Sequence, residues 1–200
     1  MKAKRRSSAE WWAWCGEFDE VSRCAPLPPV FVVLDLETTG LRCSHHEIIE
    51  MAAIKVEVGK DRHAAFHSLV VPSKRVSARI TQLTGLNRDM LVRDGKALAA
   101  VVPSFLSFCE KLPLVAFNAP FDRMFIEAAC ERLGHTAPSA SRWKCALQLA
   151  RRAWPYRKSH KLTSLAADAG LSIAGAHRAL VDCQNTAHIF ALATRVLTGA

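Results

Sequence analysis

The sequence predicts an α/β protein built on a mixed sheet flanked by helices. Three observations carry that expectation. Residues 31–36 make up a short, strongly apolar run, the pattern of a strand buried on both faces. Two further strand-like segments follow it directly. Beyond them, helical and strand-like stretches alternate to the C-terminus. The chain has 200 residues, 50% apolar and 22% charged, which suits one ordinary folded domain.

The first strand ends where Thr38-Thr39-Gly40 turns the chain. Residues 47–58 and 63–71 read as the second and third strands. Gly59-Lys60-Asp61 makes a hairpin connection between them, so these strands are expected to run antiparallel. Residues 80–86 fit a short helix. Residues 96–111 keep helical spacing despite Pro103, which belongs in a first turn or at a kink. Residues 114–117 form a short strand, and 120–133 a helix closed by Gly134. Residues 143–150 pass from strand into helix, and 162–169 form a helix stopped by Gly170. Residues 178–197 form a long, Ala-rich final helix.

The N-terminal residues differ in kind. A basic tip leads to Trp11-Trp12-Ala13-Trp14, then a mixed-charge stretch, then Pro26-Leu27-Pro28-Pro29, whose prolines deny helix and mark a boundary. Three tryptophans within four residues are costly to leave in water. The expected organisation is a Trp-rich arm at residues 1–29, docked on its own domain or on a protein partner, and a globular domain at 30–200.

Composition narrows the function classes. No apolar run approaches the roughly 20 residues that a membrane span needs. The basic residues at the N-terminus are followed by no apolar segment of a secretory leader. Seven cysteines, odd in number and without a CxxC pair, read as scattered reduced thiols of a cytoplasmic protein. The formal charge of +9 points towards a polyanionic partner. Between residues 135 and 161 there are seven Lys or Arg and no acid, with Trp143, Trp154 and Tyr156 interleaved. Cations beside stackable rings are what single-stranded nucleic acid binding uses. An ordinary solvated helix face would present the same residues. Cys43-Ser44-His45-His46 has metal-ligand residue types, yet nothing fixes a tetrahedral geometry for them.

The informative anomaly is acidic. Asp35 and Glu37 stand two apart at the end of the most apolar strand, so both carboxylates project from one face. Like charges side by side are unfavourable, and a divalent cation such as Mg²⁺ or Mn²⁺ would compensate them. Asp122 falls in the first turn of a predicted helix, in Asn118-Ala119-Pro120-Phe121-Asp122, where the helix dipole alone would favour it. His177 and Asp182 are five apart, about 140° around a regular helix. They converge only if His177 lies just before the helix begins, and Gly175 permits such an entry loop.

Taken in order, Asp35-x-Glu37 with Thr38-Thr39-Gly40, Asn118-x-x-Phe121-Asp122, and His177-x-Ala179-x-x-Asp182 resemble the three motifs of the DEDDh group. These are the DnaQ-like 3′→5′ exonucleases, of which the exonuclease domain of the DNA polymerase III epsilon subunit is one. The resemblance runs from about residue 30 to residue 197. The histidine version is indicated over the tyrosine one, because Arg178 stands four before Asp182. Phe117 departs from the pattern, since many relatives carry His before the motif Asn. The Trp-rich arm lies outside the family domain. The chain ends 18 residues after Asp182 without the polymerase-binding tail of the replicative proofreading subunit, so that particular role is not expected.

The resemblance implies a ribonuclease-H-like, mixed five-stranded sheet flanked by helices. It also implies a site of two divalent ions, Mg²⁺ or Mn²⁺. Asp35 would bridge both, Glu37 and Asp182 would hold the ion that activates water, and Asp122 would support the second. His177 would be the general base, and its ordinary pKa near 6.5 suits the task. Leu36 and Thr38 would face the terminal nucleotide through their backbone, with Leu41 as an apolar wedge and Asn118 and Phe121 lining the same cleft. The basic, aromatic stretch 142–161 would hold the incoming strand. The expected activity is release of nucleoside 5′-monophosphates from single-stranded DNA or RNA 3′ ends. A proofreading or repair subunit docked on a polymerase or helicase through the arm, and a non-catalytic nucleic-acid-binding module, are the alternatives.

Overall fold

β1 (Val30–Thr38) is the central strand of a five-stranded sheet ordered β3-β2-β1-β4-β5. The computed structural model describes residues 28–199. β2 (Ile48–Glu57) and β3 (Ala64–Leu69) run antiparallel in turn, while β4 (Leu114–Ala116) and β5 (Trp143–Cys145) run parallel to β1. The fold is the mixed α/β sheet expected, with seven helices among the described residues.

The strand residues sort onto two faces by their alternation. On one face Val32, Leu34 and Leu36 pack with Met51 and Ala53 against α3 (Leu98–Cys109) and α4 (Ala119–Leu133). On the other, Phe31 and Val33 pack with Ala52 and Ile54 against α5 (Ala146–Ala153) and α7 (Ala179–Thr198). Because β1 is covered on both faces, its sequence is apolar without alternation until Asp35. α7 lies close to the sheet through Ala179, Cys183, Ala187 and Ala191, small side chains that let its backbone approach. α6 (Leu162–Asp168) packs outside α7 through Leu165 on Ile189.

Several local expectations are refined. The short helix after β3 is α1 (Ala78–Thr84), and a second, α2 (Arg88–Asp94), follows it. The signals for α2 are present in Asn87, whose side chain accepts from the Met90 N–H, and in Asp89 of the first turn. Pro103 sits well inside α3 rather than in its first turn. Leu86, Leu91 and Ile49 form a small apolar cluster that ties α2 to β2. The arm proposed at residues 1–29 lies outside the described residues apart from Pro28 and Pro29. The five described cysteines are free, and no helix among the described residues is long and apolar enough to cross a membrane.

Candidate active site

A cleft of about 550 Å³ opens where β1 and β4 end, lined by Asp35, Glu37, Asp122, His177 and Asp182. The four acids arrive from three elements of the fold. Asp35 and Glu37 are carried on the face of β1 that meets α7. Asp122 is held in the first turn of α4, immediately beyond β4, and is buried. Asp182 lies in the first turn of α7, brought to β1 by the packing of Cys183 and Ala187 on the sheet.

His177 joins them because the helix starts late. α7 begins at Ala179, and His177 adopts a left-handed φ of 65° just before it, with Gly175 at φ 80°. A non-glycine residue in that region costs roughly 1 kcal/mol or more and persists only when its surroundings hold it. Two contacts hold it here. The His177 N–H donates to Asp182 Oδ2 at 3.1 Å, and the Ala179 N–H donates to Glu50 Oε2 at 3.0 Å. The ligand atoms of Glu37, His177 and Asp182 consequently lie within 4.8 Å of one another.

Glu50 was not singled out from the sequence. It faces Glu37 across the β1–β2 ladder, and its carboxylate is buried. It accepts from Arg178 Nη2 at 2.9 Å and pairs with His67 Nε2 at 2.7 Å, in addition to the Ala179 N–H. Burial works to raise its pKa, but these donors outweigh that and hold it below the ordinary value. The single sequence signal for it is a charge inside the apolar run of β2.

The other acids behave in the opposite way. Burial, followed by the charges of Asp122, Asp182, Glu37 and Glu50, pushes Asp35 well above the usual carboxylate range. Burial and the charge of Asp182 push Glu37 up to about 8. Burial pushes Asp122 up to about 8, against backbone hydrogen bonds from its own N–H and that of Leu36. Asp182 is raised by burial, and the His177 N–H opposes the rise. Its Oδ1 is buried with no hydrogen-bond partner. Crowded, buried oxygen donors lacking hydrogens to accept are the setting in which a hard divalent cation binds. The donor set therefore fits Mg²⁺ or Mn²⁺.

The residues assigned to substrate divide. Leu36, Asn118 and Phe121 line the cleft. Thr38 is buried, and its hydroxyl donates to the Gly40 carbonyl at 2.7 Å. Leu41 is 76% exposed on the loop after β1 and is not among the cleft-lining residues. That loop is shaped by Gly40, where a Cβ would run into the His46 ring. His45 and His46 are engaged locally, with Ser44 and Arg42 respectively. Leu83 of α1, Phe117, and Lys161, Leu162 and Thr163 at the start of α6 complete the lining.

The basic stretch 142–161 does not form one strip, because its residues take separate structural duties. Arg142 donates to the Leu112 and Cys109 carbonyls at the end of α3. Arg157 pairs with Asp168. Trp143 and Trp154 pack against apolar clusters. Lys144 and Arg152 line a different groove, leaving Lys161 as the cation of this stretch in the cleft lining.

Comparison with known proteins agrees with this geometry. The family model RNase_T, described as Exonuclease, matches residues 32–190. The PolC-type DNA polymerase III of Caldanaerobacter subterraneus subsp. tengcongensis is 38% identical over 166 residues, covering 83% of this chain and 12% of the polymerase. This chain thus spans about an eighth of that relative's length. Exonuclease X, solved in complex with 5′ overhanging duplex DNA, superposes with a TM-score of 0.63 at 25% identity, covering 85% of this chain and 93% of that one. The nuclease domain of 3′hExo, a DEDDh family member solved with rAMP, superposes with a TM-score of 0.68 at 19% identity, covering 88% and 95%. The sheet is accordingly of the ribonuclease-H-like kind. The chain belongs to the RNase_T exonuclease family and carries a DnaQ-like 3′–5′ exonuclease domain.

Proposed function

We propose that this domain shortens single-stranded DNA from the 3′ end, releasing nucleoside 5′-monophosphates, with Asp35, Glu37, Asp122 and Asp182 holding two divalent ions and His177 acting as general base. The observation that carries the reading is the convergence of four carboxylates and one histidine in a single cleft. Mg²⁺ or Mn²⁺ bound there would neutralise phosphoryl charge and favour in-line attack by water. Asp35, which feels the charges of Asp122, Asp182 and Glu37 together, would serve both ions. Glu37 and Asp182 would hold one beside His177, and Asp122 would support the other.

His177 takes the proton from the attacking water at an imidazole nitrogen. The water oxygen bonds to phosphorus as the P–O3′ bond breaks, the 3′ oxygen of the shortened strand leaves and takes a proton from solvent, and the phosphate stays on the 5′ oxygen of the released nucleotide. The contacts of His177 and Ala179 with Asp182 and Glu50 fix the loop that presents the imidazole. Leu36, Phe117, Phe121, Leu83 and Leu162 supply apolar surface for a terminal base, and Lys161 supplies charge for its phosphate. Its volume is in the range of a nucleotide-sized pocket, a few hundred to about 1,000 Å³. DNA is favoured over RNA by the 38% identity to a DNA polymerase III. The same relationship supports a second reading, in which the domain proofreads for a polymerase in the cytoplasm.

The test is an end-label assay. Purified protein receives a 5′-labelled single-stranded DNA oligonucleotide or its RNA twin, with Mg²⁺, with Mn²⁺ or with EDTA, and Asp182→Ala serves as control. A metal-dependent ladder shortening from the 3′ end, faster on DNA and absent in the variant, is expected. A faster RNA ladder reverses the sugar preference. No ladder from folded protein with either metal overturns the catalytic reading in favour of the binding module.

A further inference from the structure

A second groove, of about 490 Å³, lies at the opposite end of the sheet from the carboxylates. Pro113, Leu149 of α5 and Leu197 of α7 give it an apolar surface over the buried Phe31 and Val115, and Lys144 and Arg152 stand on its rim. Phe31 is four residues before Asp35 on β1, so the groove and the nearest acid of the cleft are about 13 Å apart along the strand. None of its lining residues belongs to the cleft. Pro28 is itself one of the lining residues, so residues 1–27 join the domain at the groove's own edge.

We infer that this groove is the seat of the chain's own Trp-rich segment, residues 10–20. Two complementarities argue for that occupant. The first is chemical. Glu10-Trp11-Trp12-Ala13-Trp14-Cys15-Gly16-Glu17-Phe18-Asp19-Glu20 contains four aromatic rings, four acids and no Lys or Arg. The rings match the apolar surface, and the acids match Lys144 and Arg152 on the rim. An indole buries a large apolar area and is poorly placed in water, so seating it relieves a cost the segment otherwise carries. The second is reach. Trp14 is fourteen residues from Pro28, a span of up to about 45 Å when extended, ample to fold back onto a groove that begins at Pro28. The rim cations of the stretch 142–161 thus serve the arm rather than the nucleic acid.

Chemical crosslinking of the full chain tests this. In a Cys145→Ser background, Gln148→Cys puts a thiol on the exposed wall of the groove, and a short bis-maleimide then reports which cysteines lie near it. Cys15 should link to position 148 within one chain. Lys144→Glu with Arg152→Glu should cut that product about fivefold, the effect of losing two rim ion pairs, and adding Glu17→Lys with Glu20→Lys should restore it. Trp11→Ser, Trp12→Ser and Trp14→Ser together should reduce it further. Rim changes are on exposed side chains at the far end of the sheet, so melting temperature and hydrolysis of a short oligonucleotide should stay unchanged. A Cys15 product with position 148 of another chain would assign the groove to a second copy and overturn the inference. A Cys15 link to Cys43 on the loop after β1, no Cys15 product at all, or a yield indifferent to rim charge would overturn it equally, the absence of any Cys15 product leaving the groove for a different protein.

Discussion

His177 occupies a backbone conformation that few residues adopt, and it does so beside two carboxylates. A group placed there at a structural cost is suited to proton transfer, and removing a general base typically costs 10²–10⁴-fold in rate. His177→Ala should therefore lower kcat by about 10³-fold while KM for a short oligonucleotide changes little, as steady-state kinetics will show. The carboxylates set the pH behaviour. Glu37 and Asp122, both pushed up to about 8, keep protons in the folded chain that the unfolded chain releases near the ordinary 4.5 and 3.8. The folded state thus binds more protons across that window, and its stability falls as pH rises through it. In EDTA the melting temperature should decline between about pH 4.5 and 8. Mg²⁺ or Mn²⁺, by replacing those protons, should raise it most at the alkaline end. A melting temperature in EDTA that rises through that window would contradict the crowding of the acids.

At the scale of elements, the start of α7 is the decisive boundary. A spacing of five between His177 and Asp182 keeps them apart on a continuous helix. The structure resolves this by starting the helix at Ala179 and by supplying the missing cap from another element. Arg178 at the N-cap makes no side-chain capping bond, and Glu50 of β2 accepts the Ala179 N–H instead. Glu50→Ala should destabilise the protein by about 2–3 kcal/mol in urea unfolding, because it strips a buried partner from Arg178 and the helix end together. Glu50→Gln, which keeps an acceptor, should cost less. The need for an entry loop at Gly175 was legible in the sequence, since the two residues could not otherwise meet. Glu50 was not, because a lone acid in an apolar strand does not announce which distant backbone N–H it will receive.

Over the whole molecule, the +9 charge is distributed by topology rather than by sequence order. Neighbouring cations of one basic stretch end at opposite ends of the sheet, because β5 and α5 carry Lys144 and Arg152 away from the cleft while the loop into α6 returns Lys161 to it. Lys161→Ala should weaken binding of single-stranded DNA and reduce the salt slope of log K by about one, as fluorescence anisotropy at several salt concentrations will measure. Lys144→Ala should leave both unchanged. By itself the sequence determined the mixed sheet, nearly every helix and strand, and the ordered acids and histidine from which a nuclease site is read. Periodicity and motif spacing are local properties, and local patterns write them directly. Only the tertiary structure decided that Asp182 and His177 close on Glu37, that Glu50 anchors them, and which cations face the cleft. Those outcomes depend on how α7 packs across β1 and on where loops return, and packing between distant segments leaves no mark on the spacing within any one of them.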